Sequence, residues 1–98
     1  MIVDLVAAFE KADESNVSFK DVPNKLSERR DLCAMLLLDK LVPSESEHYI
    51  IRAAEHDVVY LEVDLDALAA AASEDDILLL AQCGVSFDDH WDSLVLRV

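Results

Sequence analysis

Tyr49-Ile50-Ile51-Arg52-Ala53-Ala54 and Val58-Val59-Tyr60-Leu61-Glu62-Val63 are rich in β-branched and aromatic residues, and only Glu55-His56-Asp57 separates them. Extended runs of this kind across so short a polar link make a β-hairpin the economical reading. Toward the C-terminus, Asp64 or Asp66 caps a short alanine-rich helix, Ala67–Ala72. Ser73-Glu74-Asp75-Asp76 then has the form of a capping box with Asp in place of the usual Glu, ahead of the helical body Ile77–Ala81. Gly84, the single glycine of the chain, follows Cys83 where a helix end favours a left-handed residue. Val85-Ser86-Phe87, the turn Asp88–Asp92 and the run Ser93–Val98 read as a second hairpin, with Leu94, Leu96 and Val98 facing one way.

Toward the N-terminus, Ile2, Val3, Leu5, Val6 and Phe9 recur at three-and-four spacing and predict an amphipathic helix over residues 2–13. Ser15–Asn24 is polar, contains Pro23 and buries at most Val17, Phe19 and Val22, which suggests a crossing loop with a short extended stretch. A second helix is predicted from about Leu26 to Leu41, with Asn24 or Ser27 as its N-cap and Pro43 as its stop. Its stretch Leu32–Leu38 is apolar on nearly every face, so it belongs either at the centre of the core or in a homodimer interface formed by the Leu32–Leu41 helix. The order ααββααββ describes a single α+β domain over residues 1–98, a small antiparallel sheet of three or four strands with helices packed on one face.

The charge is unevenly placed. Residues 1–52 carry ten acids against seven bases, net −3, while residues 53–98 carry eleven acids against Arg97 alone, net −10; together these give the −13 of the whole chain. From Ala53 to Leu96 there is no Lys or Arg. A field of one sign repels itself and opposes compaction, so it is commonly put to use for solubility, steering or a basic partner. The apolar content of 53% argues against disorder. No apolar run approaches the length of a membrane span, and the N-terminus lacks the positive region of a signal peptide, which points to a cytoplasmic protein with no membrane contact. In a reducing compartment Cys33 and Cys83 are expected to pack as buried thiols.

Catalytic and cofactor chemistry find little support. Glu62, Asp64 and Asp66 alternate, which on a strand would place three carboxylates on one face, as a hard cation requires; but the calcium-loop pattern fails, with Ala67 where glycine is needed and Ser73 where the bidentate Glu belongs. Asp88-Asp89-His90-Trp91-Asp92 gathers three acids, an imidazole and the only Trp in one turn, a make-up closer to a polar turn or an interface anchor than to a converging metal site. His48, His56 and His90 stand near no nucleophile motif, and one glycine in the whole chain disfavours a phosphate-cradling loop. No enzyme, cofactor or metal is therefore expected. Direct nucleic-acid binding is not expected either, because the only clustered bases are Lys25, Arg29, Arg30 and Lys40.

Small size, a strongly acidic surface and one α+β domain resemble the small inhibitors of phages and mobile elements, anti-CRISPR and DNA-mimic proteins among them. The stretch Asp57–Asp64, the alanine-rich and Ser73–Asp76 helices and the hairpin from Cys83-Gly84-Val85 to Val98 also resemble uncharacterised small proteins of bacterial mobile elements. The likeness is to a class and carries over no functional residue. It implies a non-enzymatic inhibitor in a bacterial host cell, bound to a basic, nucleic-acid-handling protein such as a CRISPR-Cas effector. The expected contact residues are Glu55, Asp57, Glu62, Asp64, Asp66, Glu74, Asp75, Asp76, Asp88, Asp89, Trp91 and Asp92, the first eight on one connected surface. An acidic immunity or antitoxin-type partner of a cationic toxin is the alternative with the same physics; a homo-oligomeric assembly protein, its charge serving solubility alone, is a third.

Overall fold

The computed structural model describes residues 2–14, 18–22, 25–43, 49–88 and 93–97, with side chains from Leu5 onward. The elements are α1 (Ile2–Asp13), a 3-10 turn (Phe19–Asp21), α2 (Arg30–Leu41), β1 (Ile51–Glu55), β2 (Val58–Leu61), α3 (Leu65–Ala71), α4 (Glu74–Gln82), β3 (Val85–Asp88) and β4 (Ser93–Arg97). This is the expected α+β order. The four strands form one antiparallel sheet in the order β1-β2-β4-β3, each hairpin pairing internally and β2 joining β4 at the centre.

Strand alternation fixes which side is wet. Val59 and Leu61 stand opposite Leu96 and Leu94, which stand opposite Val85 and Phe87, so one face is apolar across three strands. That face joins Leu5 and Phe9 of α1, Cys33, Ala34, Leu37 and Leu38 of α2, Leu68 of α3 and Ile77, Leu79 and Leu80 of α4 in a single core. Ser93 is buried with them, its hydroxyl donating toward the Leu61 carbonyl at 3.2 Å. β1 lies at the sheet's edge and is exposed along its whole length, with a register shift between Ile51 and Ala53 that breaks the regularity of the open edge.

The turns follow local chemistry. Glu55 pairs with Val58, so the first hairpin closes through His56 and Asp57 alone, His56 taking a positive φ of 32°. Gly84 has a φ of 101°, and its carbonyl accepts the Arg97 N–H at 3.0 Å, tying the end of α4 to β4. Ser73 and Asp76 complete the capping box: the Ser73 hydroxyl accepts from the Asp76 N–H at 3.1 Å and the Asp76 carboxylate from the Ser73 N–H at 2.9 Å.

One expectation needs correction. α2 begins at Arg30 and not near Leu26, because Ser27 spends its hydroxyl on the Arg29 N–H at 3.1 Å in a tight local turn, and Arg29 occupies the N-cap without a side-chain bond. Asn24, the other proposed cap, lies outside the described residues. Of the two expected caps of the alanine-rich helix, Asp64 is the one used: β2 stops at Leu61, and the Asp64 carboxylate accepts the Ala67 N–H at 3.1 Å to start α3, so Glu62, Asp64 and Asp66 line no common strand.

Candidate functional site

The strand register distributes the acids. Glu55 and Asp57 sit at the hairpin end of the sheet, level with Arg97, which pairs with Val58. Glu62 follows Leu61 at the other end, on a level with Asp88, whose partner is Ser93. At about 3.3 Å per residue, Asp57 and Glu62 are separated by roughly 16 Å along the strand. Glu74, Asp75 and Asp76 begin α4. The eight acids expected on one surface thus belong to three neighbourhoods: the first hairpin turn, the far end of the sheet with the start of α3, and the start of α4. Asp89, Trp91 and Asp92 lie outside the described residues, as do His48 and His90.

The α4 neighbourhood is partly neutralised. Lys11 of α1 reaches Glu74 at 3.7 Å, both side chains largely exposed, and Asp75 and Asp76 share a groove with Lys25 and Lys40. Asp76 is further occupied by the capping box. The bases of the N-terminal half have structural work of their own: Lys25 lies 4.8 Å and Arg30 5.4 Å from the centre of the Phe19 ring, and Lys25 also donates to the Lys20 carbonyl at 3.1 Å and pairs with Glu28 at 3.4 Å. These contacts pin the loop before α2.

The second neighbourhood is different. Leu38, Val42, Pro43, Ile50, Val63 and Ala67 line an open groove of about 430 Å³ between the end of α2, the entry to β1 and the start of α3. Asp39, Glu62 and Asp64 stand on its rim, and no Lys or Arg lines it among the described residues. Tyr49 borders the groove and is 86% exposed, with Ile51 beside it 48% exposed. Asp66 is exposed in the first turn of α3, close by in sequence, but does not line the groove. The Asp64 cap bond engages a neutral amide, so its negative charge persists. Among the described residues the groove therefore offers an apolar floor, an aromatic handle and a rim of three carboxylates, a combination suited to a lysine or arginine whose stem packs on the floor while its head meets the carboxylates. Among the described residues no three His, Cys, Asp or Glu side chains gather as a cation site.

Sequence reasoning missed Asp39 and Tyr49. Asp39 belongs to the less acidic half of the chain and shares the groove with Glu62 and Asp64 only through the packing of α2 beside α3, a long-range juxtaposition with no local signature. Tyr49 reads as a strand residue but precedes β1 and faces solvent. Cys33 and Cys83 are both free and buried, and their thiols come within hydrogen-bonding reach in the core. Burial, reinforced by the adjacent Cys33 and slightly offset by Arg30, pushes the Cys83 thiol up to about 12, the opposite of what a nucleophile requires.

No helix among the described residues is long and apolar enough to cross a membrane. Compared with protein-family models, curated proteins and solved structures, the chain matches none.

Proposed function

We propose that this protein is a non-enzymatic inhibitor that occupies a basic, nucleic-acid-handling protein of a bacterial host, in the manner of DNA-mimic and anti-CRISPR proteins, and that the groove rimmed by Asp39, Glu62 and Asp64 is where it anchors. The observation that carries this reading is the rim of Asp39, Glu62 and Asp64 around an apolar floor, with no Lys or Arg among the described residues. A protein site built for phosphates presents Lys and Arg in a shaped cleft, and such a cleft is complementary to carboxylates on a rigid body. The net charge of −13 adds long-range attraction, and the groove supplies the short-range contact that charge alone lacks. In this reading Glu62, Asp66, Asp39 and Tyr49 make the principal contacts, with Asp88 at the same sheet end; Glu55, Asp57, Glu74 and Asp75 contribute steering. The protein works in the cytoplasm, where its client meets DNA or RNA.

The test is comparative capture. Immobilised wild-type protein and a Glu62→Lys/Asp66→Lys variant are each exposed to bacterial lysate at low and high salt, and the retained proteins are identified by mass spectrometry. The expected result is a basic nucleic-acid-binding client retained by the wild type at low salt, released at high salt and lost from the variant. A client retained equally by both proteins, or unaffected by salt, contradicts the proposal. A captured cationic toxin instead of a nucleic-acid-handling protein would assign the same surface to neutralising a toxin.

A further inference from the structure

The groove at the sheet end offers its carboxylates at a particular spacing. Glu62 and Asp64 are exposed and Val63 between them is half-buried, so the chain leaves β2 with two carboxylates turned out and one apolar side chain turned in. The backbone stays extended here: the Glu62 N–H donates to the Ile50 carbonyl at 2.6 Å, and Asp64 holds φ −66° and ψ 107° as the cap of α3. Two residues of extended chain advance about 6.6–6.8 Å, the repeat of alternate side chains on a strand. The end of α2 opens onto the same groove through Leu38, Asp39, Val42 and Pro43, so the negative end of that helix's dipole adds to the three carboxylates. Lys40, the base of that last turn, lines the separate groove it shares with Asp75 and Asp76. No ion pair engages Asp39, Glu62 or Asp64 among the described residues. Tyr49 borders the site, and the cations seated on an aromatic ring among the described residues, Lys25 and Arg30, are both on Phe19.

We propose that the groove takes an extended segment of the client with two arginines separated by one residue, their guanidinium groups on the Glu62 and Asp64 carboxylates and one of them stacked on Tyr49. Alternate residues of an extended segment point the same way at the repeat the two carboxylates share. Both arginine stems then lie over Val42, Ile50, Val63 and Ala67, while the residue between them faces away. Arginine is preferred to lysine because its planar fork bonds a carboxylate through two N–H groups and stacks on an aromatic face, neither of which an ammonium does as well. One oxygen of Asp64 accepts the Ala67 N–H, and its other oxygen serves the guanidinium. Charge alone would attract any polycation; the spacing selects one arrangement. This inference deepens the proposed function and rests on its groove, but it specifies a local motif that is tested without the client.

Calorimetric titration and amide chemical shifts of the full chain, with end-blocked peptides up to about 5 mM, test it. Peptides built on Arg-Ala-Arg, Arg-Arg-Ala and Lys-Ala-Lys carry the same charge and differ only in spacing or in the cation. The Arg-Ala-Arg peptide is expected to bind at least about threefold tighter than either of the others, with shifts centred on the amides of Ile50, Val63 and Ala67. Glu62→Gln and Tyr49→Ala, both at exposed positions, are each expected to keep the circular dichroism spectrum and weaken that peptide about threefold or more. Glu10→Gln, which removes the same charge from an exposed position on α1, is expected to leave its affinity unchanged. Equal affinity for the three peptides, an affinity indifferent to Glu62→Gln, or no binding at the highest concentration overturns the proposal. If the peptides fail while a basic client is still lost from Glu62→Lys/Asp66→Lys, the arginine motif falls and the proposed function stands. If the peptides bind as expected and no nucleic-acid-handling client is captured, the arginine site stands and the client assignment falls.

Discussion

The capping box at the start of α4 provides a quantitative test of which acids hold the fold together. Ser73→Ala removes the acceptor for the Asp76 N–H and should cost about 1 kcal/mol. Asp76→Ala removes the 2.9 Å acceptor for the Ser73 N–H and a first-turn negative charge, together about 1–1.5 kcal/mol. The double variant should cost about 2 kcal/mol, less than the sum, because the two bonds hold each other in place. Asp75→Ala is the internal control: it removes the same charge one residue earlier and gains the same helix propensity, but breaks no cap bond, so about 0.3–1 kcal/mol is expected. For a domain of this size each kcal/mol lowers the melting temperature by about 4–8 °C. Thermal and urea melts followed by circular dichroism read these differences directly. If Asp76→Ala is no more costly than Asp75→Ala, the box contributes nothing beyond its charge and the assignment of Asp76 to the fold fails.

Three further outcomes follow from the core and its turns. Gly84→Ala should cost about 1–3 kcal/mol, since φ is 101° and the new Cβ would sit 3.3 Å from the Arg97 carbonyl oxygen; unchanged urea stability would contradict that backbone conformation. Leu38→Ala, at a site 1% exposed where α2 meets the core, should cost about 2–5 kcal/mol by urea denaturation, and a loss under 1 kcal/mol would mean that α2 is not docked as described. The Cys83 thiol is held protonated up to about 12 in the fold against an ordinary value of 9.0, so its contribution is complete below about pH 9 and declines between about pH 9 and 12, where the unfolded thiol ionises first. Comparing urea midpoints at about pH 8 and 10.5, Cys83→Ala should show a shallower alkaline decline than the wild type, and parallel declines would refute the raised value.

What could be read from the chain was whatever its neighbours in sequence decide. The first hairpin, the Ser73–Asp76 box and the left-handed Gly84 each depend on a few adjacent residues, and each is present. The start of α2 escaped because Ser27, one of the two expected caps, accepts the Arg29 N–H in a local turn in preference to capping the helix. The alternation of Glu62, Asp64 and Asp66 looked like a strand because period two persists past Leu61, where the Asp64 cap ends it. The groove was not legible at all. Asp39, Tyr49, Glu62 and Asp64 converge only after β2 pairs with β4 and α2 docks, and the meeting of Cys33 with Cys83 across fifty residues is of the same kind.

The charge asymmetry, by contrast, was plain, but its use was not. The structure divides it among a capping box, a patch offset by lysines and a rim that holds no base among the described residues. Changes at Asp75 and Asp76 therefore mix fold and surface effects, and Glu62 and Asp66 are the cleaner probes, since no helix cap depends on either side chain. The most direct test of the acidic-groove account is competition. With the captured client held at fixed concentration, duplex DNA is titrated against the client's complexes with the wild type and with Glu62→Lys/Asp66→Lys. The account predicts that DNA and the wild-type protein exclude one another and that the variant needs at least tenfold more protein to displace the same DNA. A ternary complex of client, DNA and wild-type protein, or a variant that competes as well as the wild type, would contradict it.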